Sequence, residues 1–226
     1  MLDYLNTHKS GEIVVDTSEA PVRDTALYNV GFNWSEFYPD AVEQIPEDMP
    51  EPKGKLAKIT CYVDADHARD VVTRRSVTGI VLLINNTPMV FMSKRQNTVE
   101  TSTYGSELVA TRMAVDLIIE QRYKLRMLGI QLEETSVMIG DNMSVVLNTT
   151  LPSSMLKKKA QACNYHRVRE MIAANVLKYG HIESTENVAD ICTKPLGKGP
   201  FSHITQKYLF RSPPGLEQIK KKVKTE

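Results

Sequence analysis

The chain has 226 residues, 42% of them hydrophobic and 24% charged, and a formal net charge of +1. That length allows one domain of about 150 residues with an appendage, or two small domains. The near-neutral charge excludes a global pull towards nucleic acid, so any such binding must come from local basic clusters.

Three cysteines, Cys61, Cys163 and Cys192, fall at no metal-ligand spacing, and their odd number argues against a disulfide framework. The start "MLDYLNTHKSGEIVVD" lacks a basic segment followed by an apolar one, and no apolar run reaches the roughly 18 residues of a membrane span. The composition is that of a soluble intracellular protein with no membrane partner.

Residues 1–57 read as an appendage and linker: a short helix-like start, a possible strand at 13–15, then the Pro- and acid-rich "NWSEFYPDAVEQIPEDMPEPKGK". From residue 58 the pattern tightens. "KITCYVDA", "SVTGIVLLINN" and "TPMVFMSKRQ" are rich in β-formers, and the Asn-Asn pair between the last two makes them a hairpin, so an antiparallel meander is predicted. Ser102 or Thr103 then caps a long helix with Leu108, Val109, Met113, Leu117, Ile118, Leu125 and Leu128 at spacings of three, four and seven, stopped by Gly129. "SVMIGD" is a fourth strand, followed by a short helix at "NMSVVLNT". Next come a helix over about 165–175, a fifth strand "LKYGHIES", and a helix over about 187–194 ended by Pro195. The order βββαβαβα predicts an α/β domain over residues 58–196, with a five-stranded mixed sheet of three antiparallel and two parallel strands flanked by helices. Residues 197–226 read as an extension, partly helical and then a basic tail, "EQIKKKVKTE".

Four acids fall where α/β folds place chemistry. Asp64 closes the first strand, Glu107 sits in the first turns of the long helix, Asp141 ends the fourth strand, and Asp190 lies near the start of the last helix. Singly, Glu107 and Asp190 could complement helix dipoles and Asp141 could cap a helix. Brought together, four carboxylates would raise one another's pKa unless divalent cations filled the gap. Oxygen ligands without His or Cys select Mg²⁺ or Mn²⁺ over zinc. Asp66, two residues beyond Asp64, shares its strand face and reads as a supporting or solvated acid.

The blocks "YVDADHARD" with "RRSVTG", "SKRQNTVETSTYGSELVA", "GDNMSVV", "YHRVRE" and "VADICTKPL" occur in one order. In these the chain resembles the ribonuclease H domain of Ty1/copia-type retrotransposon polyproteins, and residues 1–57 look like the connection segment that ends the preceding reverse transcriptase. Polymerase acids are absent, since Ala65 separates Asp64 from Asp66. The resemblance implies a ribonuclease H-like fold and an endonuclease that cuts the RNA strand of RNA/DNA hybrids, with Asp64, Glu107, Asp141 and Asp190 as catalytic metal ligands. It implies two Mg²⁺ ions, with Mn²⁺ as a substitute. It also implies the reverse transcriptase and integrase portions of a parent polyprotein as partners, and a cytoplasmic place in a virus-like particle or replication complex, or in the nucleus. Two departures stand out: the loop "ESTEN" before the last acid has no His, where Glu186 reads as a helix-start acid or as taking part of the missing role, and Ala160 stands where the pattern usually has His. Ala160 hints at a decayed copy, which keeps open a catalytically weak or inactive binding or structural module.

Candidate substrate contacts are local. Lys94, Arg95, Gln96 and Asn97 follow the third strand; Asn142 and Ser144 adjoin Asp141; Lys157, Lys158 and Lys159 give a positive loop edge; Tyr165 and His166 belong to a resemblance block. Each has a plain alternative, as a solvated turn for the first group and as packing and capping for the last two.

Overall fold

The computed structural model describes residues 13, 15–18 and 31–208. The strand expected at 13–15 does not form at residues 13 and 15, while the helix-like start, residue 14 and the basic tail lie outside the described residues. The strands are β1 (Lys53–Ala57), β2 (Ile59–Asp66), β3 (Val77–Ile84), β4 (Thr87–Arg95), β5 (Ile130–Leu132), β6 (Ser136–Gly140) and β7 (Leu177–His181). The helices are α1 (Thr103–Met127), α2 (Met143–Thr150), α3 (Ala162–Ala173), α4 (Asp190–Thr193) and α5 (Lys198–Tyr208).

Five strands form one sheet in the order β4-β3-β2-β6-β7. β2 pairs antiparallel with β3 and parallel with β6; β3–β4 is antiparallel and β6–β7 parallel. This is the five-stranded mixed sheet predicted above, three strands antiparallel and two parallel. The meander closes through Asn85, whose φ of 54° suits the tight connection and which Asn tolerates better than most residues. β2 sits at the centre because its apolar residues serve both faces. Cys61 and Val63 join Ile80, Leu82 and Met138 under Leu108, Val115 and Ile118 of α1 and Val168 and Ile172 of α3. Tyr62 joins Val81, Leu83, Val137 and Ile139 under Val188, Ala189 and Ile204 on the opposite face. The period of two thus divides one strand between two cores.

Three elements are shorter or shifted against the sequence reading. The fifth strand ends at His181, short of "IES", because Ile182 turns into the second core and residues 184–186 form a 3₁₀ turn. Only Asp190–Thr193 is helical within 187–194, since the Asn187 amide turns back to the Val63 carbonyl (3.0 Å) and accepts from the Ala189 amide (3.1 Å). The helix expected at 165–175 starts three residues earlier and ends at Ala173, with Asn175 at φ 55°.

The stretch read as linker is packed. Trp34 lies in the first core, and β1 pairs in parallel with β5 in a small second sheet. Glu43 reaches the far end of α1, where it accepts from Arg122 Nε (2.7 Å) and Arg126 Nη1 (2.6 Å) through one oxygen, and from both Nη2 atoms (2.8 Å each) through the other. Arg122 is only 2% exposed and also donates to the Glu134 carbonyl (2.8 Å) and Ser136 Oγ (3.0 Å). Burial alone would raise the Glu43 pKa, but the hydrogen bonds and charges of Arg122 and Arg126 overcome it and hold the carboxylate at about 2.

Candidate active site

The acids meet where the central strands end. Asp64 is the sixth residue of β2, Asp141 follows the last residue of the neighbouring β6, and Glu107 projects from the first turns of α1. The α1 start is fixed by Ser102, whose side chain accepts from the Gly105 amide (3.3 Å), as expected of a cap. A carboxylate oxygen from each of Asp64, Glu107 and Asp141 lies within 4.8 Å of the other two. Asp64 and Glu107 are buried, whereas Asp141 is partly open to solvent.

Asp190 approaches from the opposite face of the sheet. The register explains how: Gly79 lies directly across from Asp64, and a Cβ there would stand 2.5 Å from Thr193 Cγ2 and 2.7 Å from the Ala189 carbonyl. Only a bare backbone lets α4 sit this close. Its Thr193 hydroxyl donates to Asp64 Oδ2, and Asp190 pairs with Lys194 across one turn, Nζ to Oδ1 at 2.8 Å. Asp190 is not among the three acids that converge, although its charge acts on Asp64.

The electrostatics are those of carboxylates crowded in low dielectric. Burial, then the charges of Asp141 and Asp190, push Asp64 up to about 7, against the hydrogen bond from Thr193. Burial, then Asp64 and Asp141, push Glu107 up to about 9, although the Ala65 backbone amide holds its charged form. Burial works against the charge on Lys194, but its ion pair with Asp190 and the fields of Asp64 and Asp141 raise its pKa. The donor set is entirely oxygen, and without a cation its charges resist forming together. Both properties fit a hard divalent ion.

The remaining candidates divide by exposure. Lys94, Arg95 and Asn97 are exposed, with Arg95 paired to Asp70 at 3.0 Å. Gln96, read as a substrate contact, is instead 1% exposed: its Nε2 donates to Thr78 Oγ1 (3.0 Å) and the Ser106 carbonyl (2.8 Å), tying β3 to α1. Tyr165 is likewise a packing residue, 3% exposed, with its hydroxyl donating to the Ser154 carbonyl (2.8 Å). His166 is exposed, its Nδ1 2.7 Å from the Tyr38 hydroxyl. Asn142 caps α2, its side chain accepting from Val145 N (3.2 Å), and Ser144 is exposed beside it. Lys157, Lys158 and Lys159 are exposed, and Lys158 Nζ donates to Ser102 Oγ (2.7 Å), bringing the loop to the start of α1. Asp66 pairs with Arg69 at 2.6 Å, and Glu186 with His203 of α5 at 2.6 Å.

Sequence reading missed Thr193, Lys194 and His181, whose Nε2 lies 3.1 Å from the Asp141 carbonyl. The first two were within reach of it, since positions three and four after Asp190 share its side of a helix.

A scan against protein-family models finds no match. Among curated proteins, the chain is 28% identical over 166 residues to the retrovirus-related Pol polyprotein from transposon RE2 of Arabidopsis thaliana, covering 72% of this chain and 11% of the relative. It is 31% identical over 143 residues to that from transposon TNT 1-94 of Nicotiana tabacum, covering 62% and 10%. The transposon Ty1-JR1 Gag-Pol polyprotein of Saccharomyces cerevisiae matches at 23% over 159 residues, covering 70% and 9%. The chain thus spans about a tenth of the length of these relatives. Among solved structures, LC11-RNase H1 in complex with RNA/DNA hybrid aligns with a TM-score of 0.48 at 16% identity, over 60% of this chain and 94% of that one. RNase H1 from the halophilic archaeon Halobacterium salinarum NRC-1 aligns with a TM-score of 0.47 at 14% identity, over 60% and 94%. The chain is thus similar to a segment of the Pol polyproteins of Ty1/copia-type retrotransposons, and its own sheet has the five-stranded mixed topology expected of a ribonuclease H-like fold.

Proposed function

We propose that the chain is a divalent-metal-dependent endonuclease hydrolysing the RNA strand of RNA/DNA hybrids during reverse transcription of a retrotransposon. The observation that carries this is the convergence of Asp64, Glu107 and Asp141, from three separate elements, to within 4.8 Å. Two bound Mg²⁺ ions, or Mn²⁺ in their place, would supply an activated attacking water and a stabilised leaving 3′ oxygen. Those three acids and Asp190 are the residues to hold them. The Thr193 hydroxyl orients Asp64, and the Ala65 amide orients Glu107, so neither carboxylate need reorganise when charge arrives. Discrimination of hybrid rests on 2′-hydroxyl contacts and groove shape, with little sequence readout. Lys94 and Arg95 at the end of β4 with Asn97 just beyond it, Asn142 and Ser144 beside Asp141, and Lys157, Lys158 and Lys159 would touch its backbone.

In this reading the nuclease works beside reverse transcriptase and integrase portions of a parent polyprotein, in a cytoplasmic particle or the nucleus. Its folded unit extends beyond residues 58–196 to take in Trp34, Glu43 and α5. Among the described residues no helix is long and apolar enough to cross a membrane. The pairing of Asp190 with Lys194 favours a second reading, a module that grips hybrid without cutting. Incubating the chain with a labelled hybrid in Mg²⁺ and in EDTA separates them. Fragments ending in 5′-phosphate and 3′-hydroxyl, formed in Mg²⁺ alone, support the nuclease; binding without fragments supports the second reading; cutting in EDTA refutes the metal chemistry.

A further inference from the structure

Lys194 is placed differently from an ordinary surface lysine. It follows α4 directly, one turn after Asp190, and its Nζ lies 2.8 Å from Asp190 Oδ1. The pair is asymmetric: the Asp190 side chain is 9% exposed and that of Lys194 40%. The lysine charge also reaches the rest of the cluster. It favours ionisation of Asp64 and Glu107, and Asp64 and Asp141 in turn favour its own charged form.

We infer that Lys194 is a built-in counter-cation of the acid cluster, which a divalent ion must displace in order to take Asp190 as a ligand. The inference rests on the metal-dependent reading above and adds to it a residue that sets how much divalent ion the site requires. An ammonium is a compact charge on a flexible four-carbon stem, so it can neutralise part of the cluster and then swing into solvent. The partial exposure of the Lys194 side chain leaves that route open. Among the described residues no lysine pairs with Asp64, Glu107 or Asp141, so an ion held by those three meets less competition. An ion that draws on Asp190 must first break an ion pair. The lysine therefore separates the affinities of the two ions, weakening the one that uses Asp190. An ordinary helix pair at a spacing of four would have no such effect, and it would sit between two exposed partners.

The test uses the whole chain and Mn²⁺ alone, titrated calorimetrically and by the spin-resonance signal of free Mn²⁺, in wild type, Lys194→Met, Lys194→Arg and Asp64→Asn. Lys194→Met should bind the weaker ion about three- to fivefold more tightly, the size of one partly exposed ion pair, with a smaller change for the tighter ion. Lys194→Arg, which keeps the charge, should stay close to wild type. Equal Mn²⁺ affinities in wild type and Lys194→Met, for one ion or two, overturn the inference and leave the metal reading intact. Wild type showing no Mn²⁺ binding that Asp64→Asn removes overturns both.

Discussion

Replacing Asp64 by Asn should abolish cutting and, in EDTA near pH 8, make the fold more stable than wild type. The folded chain holds Asp64 protonated up to about 7, because burial and neighbouring acids penalise its charge. The unfolded chain releases that proton near its ordinary value of about 3.9. Between those limits the folded state carries the extra proton, so stability is lost as pH rises through the window. Below about pH 4 both states are protonated and the penalty is absent. Three units at about 1.4 kcal/mol each give an upper bound of about 4 kcal/mol at pH 8. Glu107 shares the same repulsion and keeps part of it, which leaves about 1–3 kcal/mol for the single change. For a chain of this size that is a rise in Tm of about 3–10 °C. The asparagine oxygen can still accept from the Thr193 hydroxyl, so no buried donor is orphaned. Thermal unfolding of both proteins in EDTA at pH 5 and pH 8, then with added Mg²⁺, is the assay. The gain should be large at pH 8 and small at pH 5, and the variant should lose most of the stabilisation that Mg²⁺ gives wild type. A variant that is less stable at pH 8, gains equally at both pH values, or cuts hybrid at near wild-type rate would refute the reasoning.

Substrate choice gives a second test: duplex DNA should resist and single-stranded RNA should be cut far less than RNA in a hybrid, so equal cutting of free RNA would point to a general ribonuclease. Replacing Lys157, Lys158 and Lys159 together by Ala should weaken hybrid binding in Ca²⁺ and flatten its salt dependence by about 0.7–0.9 log units per lost phosphate contact, with little change in turnover of bound substrate. An unaltered slope would move the binding surface to Lys94 and Arg95. Glu43→Ala should cost about 3–5 kcal/mol in denaturant unfolding, because it leaves the Arg122 guanidinium buried without its carboxylate. The depressed pKa of Glu43 adds a pH signature: its stabilisation is present above its unfolded value, lost as pH falls towards about 2, and should be missing in the variant.

The large features of the fold were legible because they rest on local rules. The β-formers of "KITCYVDA" marked the central strand, the Asn-Asn turn marked the hairpin, and the Ser102–Thr103 pair marked the start of α1, where Ser102 is the cap. What escaped depends on partners distant in sequence. β1 and β5 are short, and "IQL" alone carries no strand signal until Lys53 and Ala57 lie beside it. Glu43 looks like one more linker acid until two arginines some eighty residues later close on it. Arg122 did leave a trace, since it falls four residues after Ile118 and three before Leu125, inside the apolar stripe of α1. At the site, the strand-end and helix-start positions of the acids could be read from order alone. The seating of α4 could not, because it depends on Gly79 facing Asp64 across a strand pair. Gln96 turns inward for a related reason: a polar side chain beside a loop looks available until its hydrogen bonds are traced, whereas Tyr165 takes the packing role that was its alternative.

The Glu43 clamp bears on where the chain could be severed ahead of β1. α1 runs about 37 Å at 1.5 Å per residue, with Glu107 near one end and the two clamped arginines near the other. A protease acting before residue 31 would leave Trp34 in the core and the clamp closed. One acting between Glu43 and Lys53 would free the carboxylate while leaving Arg122 fixed between the Glu134 carbonyl and Ser136, its charge stranded. The helix that presents Glu107 would then lose its anchor at the opposite end, so two cuts about ten to twenty residues apart would release domains of very different durability.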